Sequence, residues 1–138
     1  MNIHSIFHQL LTIVLFLLFF IASFGQSQLA INNAQLQTVQ QSNKALNVVY
    51  QKFLKQYSTD REFVKNVKIA QRLWVQLRDA DVKMKYPNRP AGYYVSAQPM
   101  CEASYRTELT QQRTKMLPIW LTGIEEGDIC AGSARILN

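Results

Sequence analysis

Thr59-Asp60-Arg61-Glu62-Phe63-Val64-Lys65-Asn66-Val67-Lys68-Ile69-Ala70-Gln71-Arg72-Leu73-Trp74-Val75-Gln76-Leu77-Arg78-Asp79-Ala80-Asp81-Val82-Lys83-Met84 carries the clearest helical period in the chain. Phe63, Val67, Ala70, Trp74, Leu77, Asp81 and Met84 recur at alternating steps of four and three, the spacing of a seam laid against another helix. Thr59 and Glu62 have capping-box spacing, so a helix of about 25 residues is expected to start there. Asp81 is the one charge on the stripe. It is expected to lie past the end of the packed region; a buried functional carboxylate is the alternative.

Upstream, Leu46, Val49, Tyr50, Phe53, Leu54 and Tyr57 place a second apolar stripe on a helix from about Val39 to Tyr57. The Gln- and Asn-rich stretch Gln26–Gln41 reads as a frayed lead-in to it. Downstream, Pro87, Asn88, Pro90 and Gly92 break the helical period between Tyr86 and Gln98, a length of irregular chain that in small domains often carries function. A third helix is expected from about Pro99 to Leu117, with Pro99 suited to its first turn. Pro118 then interrupts, Trp120, Leu121 and Ile124 form a short turn, and an acidic segment leads to Cys130. No stretch alternates as strands do. The expected fold is all-α: a three-helix antiparallel bundle with a disulfide-tied C-terminal tail, preceded by a signal peptide.

The signal peptide is read from Leu10–Ala22, 13 almost continuously apolar residues. As a helix they span about 20 Å, short of a hydrocarbon core of about 30 Å. Ser23 and Gly25 supply small residues for cleavage before Gln26, so residues 1–25 are assigned as the leader and 26–138 as one domain in the periplasm or secreted. The n-region lacks Lys and Arg, which leaves an uncleaved anchor as the alternative. Export changes the meaning of a net charge of +6 and a pI near 9.5. Nucleic acid is excluded as a partner, and no membrane span remains after cleavage. The basic half, Lys44 to Arg89, with 11 Lys and Arg against 4 Asp and Glu, is left to face an envelope surface or an acidic protein patch. Export also makes Cys101 and Cys130 more plausible as a disulfide than as a redox or metal pair, which lacks Cys-x-x-Cys spacing. Such a bridge contributes roughly 3 to 4 kcal/mol in the chain-entropy picture.

The chemistry available to residues 26–138 is sparse. Both histidines, His4 and His8, leave with the leader, which removes the commonest general base and metal ligand. Four glycines form no phosphate-cradling loop. Of the carboxylate pairs, Asp79 and Asp81 point to different helix faces, and Glu125 and Glu126 sit in an acidic turn. The reading is a non-enzyme with no cofactor and no metal site. Trp74, Arg78, Asp79 and Arg113 are read as a structural clamp between helices two and three, with the Arg78 stem lying along the indole.

Leu46-Asn47 followed by Tyr50, then Ala70-Gln71 with Trp74 and Arg78-Asp79-Ala80, then Cys101 with Leu109-Thr110 and Arg113, resemble in order and spacing the lysozyme inhibitor LprI-like N-terminal domain family. These are small exported bacterial helical proteins. The resemblance covers about Leu46 to Leu117 and departs from the family pattern at Val82, where many members carry a cysteine, and at Asn43, where an acidic residue is common. It implies a periplasmic protein that binds lysozyme or another wall-cleaving glycosidase. Arg89, Tyr93 and Tyr94 of the irregular loop are the candidate binding residues: Arg89 for the enzyme's carboxylates, the tyrosines for its sugar-stacking walls. A non-inhibitory interaction module for another envelope protein is the alternative.

Overall fold

The computed structural model describes residues 3–127 and 129–137, with the backbone alone described at residues 3–7, 10 and 17–27. The expected cleavage point after Gly25 and much of the apolar leader therefore fall outside the described side chains. Four helices are present among the described residues: α1 (Ile3–Gln56), α2 (Arg61–Lys85), α3 (Gln98–Met116) and the single turn α4 (Ile119–Thr122). Two strands of two residues, β1 (Ile124–Glu125) and β2 (Ile136–Leu137), close the tail. No helix of the described residues is long and apolar enough to cross a membrane.

Residues 26–41 are helical rather than frayed, so α1 begins far upstream of Val39. Extending a helix already nucleated on both sides costs little. Leu, Ala and Gln are good helix formers, and no proline intervenes. The cap of α2 also differs from the expected one. Asp60, not Thr59, accepts the Phe63 amide at 2.9 Å, a carboxylate at the positive end of the helix macrodipole. Glu62 turns outward to Lys65 and Asn66 instead of reaching back to the cap.

The helices run up, down and up. Tyr57 stacks on Phe63 across the α1–α2 turn, with ring centroids 4.1 Å apart. Asn43 of α1 then meets Arg78 of α2. Gln35 and Ser104 line one depression, Ser42 and Gln111 a second, and Phe53 faces Trp120, so α1 and α3 advance in the same direction. Their contact is close because its buried residues are small: Ser42 on α1 and Ala103, Thr107 and Thr110 on α3. Longer side chains hold α2 farther off. Its inward face is Phe63, Val67, Gln71, Trp74, Arg78 and Val82, rotated from the stripe expected, so that Leu77 and Met84 are exposed. Asp81 is half-buried beside Val82, the one fully buried residue of α2. The apolar core gathers at the α4 end, where Leu46, Phe53 and Leu117 are buried under Tyr57, Val67, Trp74 and Trp120.

The tail corrects two further expectations. Residues 124–125 pair in parallel with 136–137, a strand contact too short to leave an alternating pattern in sequence. Gly123 makes the close approach possible: its φ is 85°, and a Cβ there would sit 2.7 Å from the Arg135 carbonyl oxygen. Trp120 Nε1 donates to Ser133 Oγ at 3.0 Å, which ties the tail to the C-terminal end of α3 and not to its start. Cys101 lies in the first turns of α3, about 23 Å along the axis from Met116 at 1.5 Å per residue. A disulfide needs Cα atoms within about 7 Å. Cys101 and Cys130 are accordingly not joined, and both are exposed.

Candidate functional site

Between α2 and α3 the chain makes an irregular loop that projects from the end of the bundle opposite the apolar core. Proline fixes much of its course: the Tyr93 amide donates to the Pro90 carbonyl at 3.2 Å, and the Tyr94 hydroxyl donates to the Pro87 carbonyl at 2.9 Å. Tyr94 is thereby half-buried and works as a brace. Tyr93 stands edge-on to it, with centroids 5.0 Å apart at 82°, and is 64% exposed. The Arg89 guanidinium carbon lies 5.4 Å from the centre of the Tyr93 ring. The structure thus brings Arg89, Tyr93 and Tyr94 into one cation-aromatic knob.

Three residues beneath the knob carry no separate signal in the sequence reading. Lys85 Nζ sits 3.8 Å from the Tyr105 ring centre and 5.7 Å from that of Tyr86. Tyr86 and Tyr105 meet edge to face at 6.4 Å. Burial at this junction, followed by the charges or potential charges of Cys101, Glu102, Tyr105 and Tyr94, holds the Tyr86 phenol above its ordinary pKa of 10.0. The Tyr86 hydroxyl stays protonated, and the base of the loop is an aromatic layer with Lys85 across it. A Lys-Tyr pair at the end of an amphipathic helix was the available clue. Only the packing of α3 shows where Tyr105 joins it.

Trp74, Arg78, Asp79 and Arg113 also come together, joined by Asn43, Thr110, Arg106 and Glu102 from outside that set. Arg78 spans all three long helices: its Nε donates to Asp79 at 3.1 Å, and its Nη1 to Asn43 of α1 at 2.9 Å and to Thr110 of α3 at 3.4 Å. Arg106 completes the cluster from α3, with Nη1 2.5 Å from the same Asp79 oxygen and Nη2 3.4 Å from Glu102. Two cations lie over the Trp74 ring, Arg78 at 5.3 Å and Arg113 at 5.8 Å from its centre. Burial lowers the Arg113 pKa from the ordinary guanidinium value. No group of three or more metal-ligating side chains occurs among the described residues.

A family model described as lysozyme inhibitor LprI matches residues 22–117. The chain belongs to this family. The LprI match takes in the bundle portion of α1, all of α2 and α3, the Arg78 cluster and the whole loop, and it stops before Pro118, α4 and the strand pair. No curated protein and no solved structure matches the chain. Membership assigns lysozyme inhibition at the level of the family, as inhibitor and not as enzyme. What this chain does with its own surface is argued from its residues.

Proposed function

We propose that this LprI-family protein is exported after cleavage at Gly25 and inhibits a lysozyme-like glycosidase by inserting the Arg89–Tyr93–Tyr94 knob into the enzyme's cleft. The observation that carries this reading is the exposed, braced Arg89–Tyr93 stack at the tip of the loop. Glycosidase clefts set two carboxyl groups on either side of the scissile bond, roughly 5 to 9.5 Å apart. A guanidinium held on an aromatic ring presents a planar donor array to such carboxylates while the ring occupies a sugar subsite. Arg and Tyr are also the residues that dominate interface energetics, because they bury large areas at low conformational cost. Here the ordering cost is further reduced, since the hydrogen bond from Tyr94 to Pro87 fixes the loop before any partner arrives.

The net charge of +6 sets a condition on this function. Against a basic lysozyme, long-range repulsion slows encounter, and only the local match of Arg89 to the cleft carboxylates favours the complex. Salt screens the repulsion over about 8 to 10 Å and leaves the desolvated contact largely intact. Inhibition of a basic enzyme should therefore be preserved or faster in onset at moderate salt. A muramidase turbidity assay with the purified protein tests this directly. Inhibition that falls about tenfold in Arg89→Ala with Tyr93→Ala supports the knob. No inhibition at micromolar protein, across several lysozyme types and at both low and raised salt, overturns the inhibitor reading. If the same double variant instead loses a different envelope partner in a pull-down, the protein is a non-inhibitory interaction module that uses the same loop. Intact mass of the exported protein checks cleavage after Gly25.

A further inference from the structure

At the end of the bundle opposite the loop, α2 stands away from α1 and α3 and leaves an open-mouthed cavity of about 500 Å³. Its walls are chiefly apolar, with Phe53 on α1, Phe63 and Val67 on α2, Leu117 just past the end of α3, and Trp120 on α4. A volume of this size lies within the range that holds small organic ligands. One cation enters it. Arg113 is half-buried, rests on Trp74, and makes no ion pair among the described residues, and its Nε is buried without a hydrogen-bond partner. The side-chain oxygen of Gln71, on the same cavity wall, is likewise buried and unpartnered.

A folded protein rarely leaves a buried guanidinium N–H and an amide oxygen unpaired, because each has lost water and gained nothing. Arg113 differs in this from Arg78 and Arg106, which both reach Asp79. A positive charge with no counter-ion among the described residues, at the wall of a chiefly apolar cavity, attracts an anion that brings its own apolar body. Asp60 and Glu62 at the cavity mouth do not supply that anion. Asp60 caps α2 through the Phe63 amide, and Glu62 pairs outward with Lys65 and Asn66. Their charges at the rim repel a second anionic group, so a ligand with a single charge is favoured, with its head directed inward.

We propose that this cavity binds a monocarboxylate with an aliphatic tail, a fatty-acid-like amphiphile, whose carboxylate accepts from Arg113 and whose tail lies between Phe53, Phe63 and Trp120. The site is separate from the loop knob and stands independently of the lysozyme reading. Trp120 lines the cavity and Trp74 supports Arg113, so both tryptophans of the chain report on it.

The test is a titration of the full chain with dodecanoate below its micellar range, read by tryptophan fluorescence and by calorimetry. Acetate, dodecanol and dodecyltrimethylammonium serve as controls for the head alone, the tail alone and the opposite charge. The expected result is saturable one-to-one binding of dodecanoate, about tenfold or more tighter than dodecanol, with no binding of acetate or the ammonium. Arg113→Met should lower dodecanoate affinity to that of dodecanol while the melting temperature holds or rises, because an unpaired half-buried charge has been removed. Ala70→Phe, placed on the exposed rim of the cavity, should weaken both tailed ligands and gives a second reading if Arg113→Met loses its fold. Equal binding of dodecanoate, dodecanol and the ammonium overturns the proposal, as does unchanged dodecanoate affinity in a folded Arg113→Met. Arg89→Ala with Tyr93→Ala should leave dodecanoate binding untouched, which keeps a failure of the lysozyme assay distinct from a failure here.

Discussion

Around Phe53 the helices meet through aromatic and aliphatic side chains. Around Arg78 the same helices meet through two guanidinium groups on one shared carboxylate oxygen and two neutral acceptors. The first layer is non-directional: Phe53 meets Trp120 edge to face at 6.5 Å, but any well-filled apolar arrangement would gain most of the same free energy. The second layer is directional, since Arg78 reaches Asn43, Asp79 and Thr110 together only in one register of α1, α2 and α3. One layer supplies stability and the other selects the arrangement. The close α1–α3 contact can then be built from small residues that would not define a register alone.

Four single substitutions and one double-mutant cycle can break or sharpen that contrast. Phe53→Ala should have the largest effect, about 3 to 5 kcal/mol lost in urea unfolding, because it empties the centre of the apolar layer. A loss below about 1 kcal/mol would mean that the layer is not the main source of stability. Arg78→Ala should cost about 2 kcal/mol, less than Phe53→Ala, because Asp79 keeps Arg106 while Asn43 and Thr110 lose a donor. A double-mutant cycle between Asp79 and Arg106 should return a coupling of roughly 0.5 to 1 kcal/mol, modest because both side chains remain partly exposed. Tyr57→Phe removes only the hydroxyl that donates to the Trp120 carbonyl at 2.6 Å, and should cost about 1 kcal/mol while leaving the ring stack on Phe63 intact. The smallest effect is expected for Cys101→Ser, within about 0.5 kcal/mol of the parent in non-reducing conditions, because the thiol is exposed and closes no loop. A loss of several kcal/mol there would restore the disulfide that the geometry of α3 and the tail argues against.

Legibility followed the range of the interactions. The long α2 helix and its end at Lys85, the irregular loop after it, the third helix and the break at Pro118 all rest on period, proline and capping, which act within a few residues, and these were readable. The cap moved by one residue because Asp60 and Thr59 are both good caps, and only the chain's approach from Tyr57 chooses between them. The inward face of α2 was harder. In sequence Leu77 and Met84 outrank Arg78 and Gln71 as core residues, and the structure exposes the former and turns the latter inward. A seam that includes an arginine becomes visible only when Asn43, Thr110 and Asp79 are placed around it. Arg106 was missed for the same reason, since nothing in its neighbourhood along the chain marks it as Asp79's partner 27 residues away.

By itself the sequence determined that this chain is helical, that its charge is concentrated in one half, that a loop carrying Arg89, Tyr93 and Tyr94 separates two helices, and that its ordered motif residues belong to one family. Those properties are written in local periodicity and in residues whose identity alone carries the signal. Only the tertiary structure decided that the tail returns to Trp120 and leaves Cys101 and Cys130 apart, that Arg78 holds three helices, and that α2 stands off far enough to leave Arg113 facing an apolar cavity. Each of these depends on distances between residues remote in sequence, where side-chain size and hydrogen-bond direction act after the helices have formed.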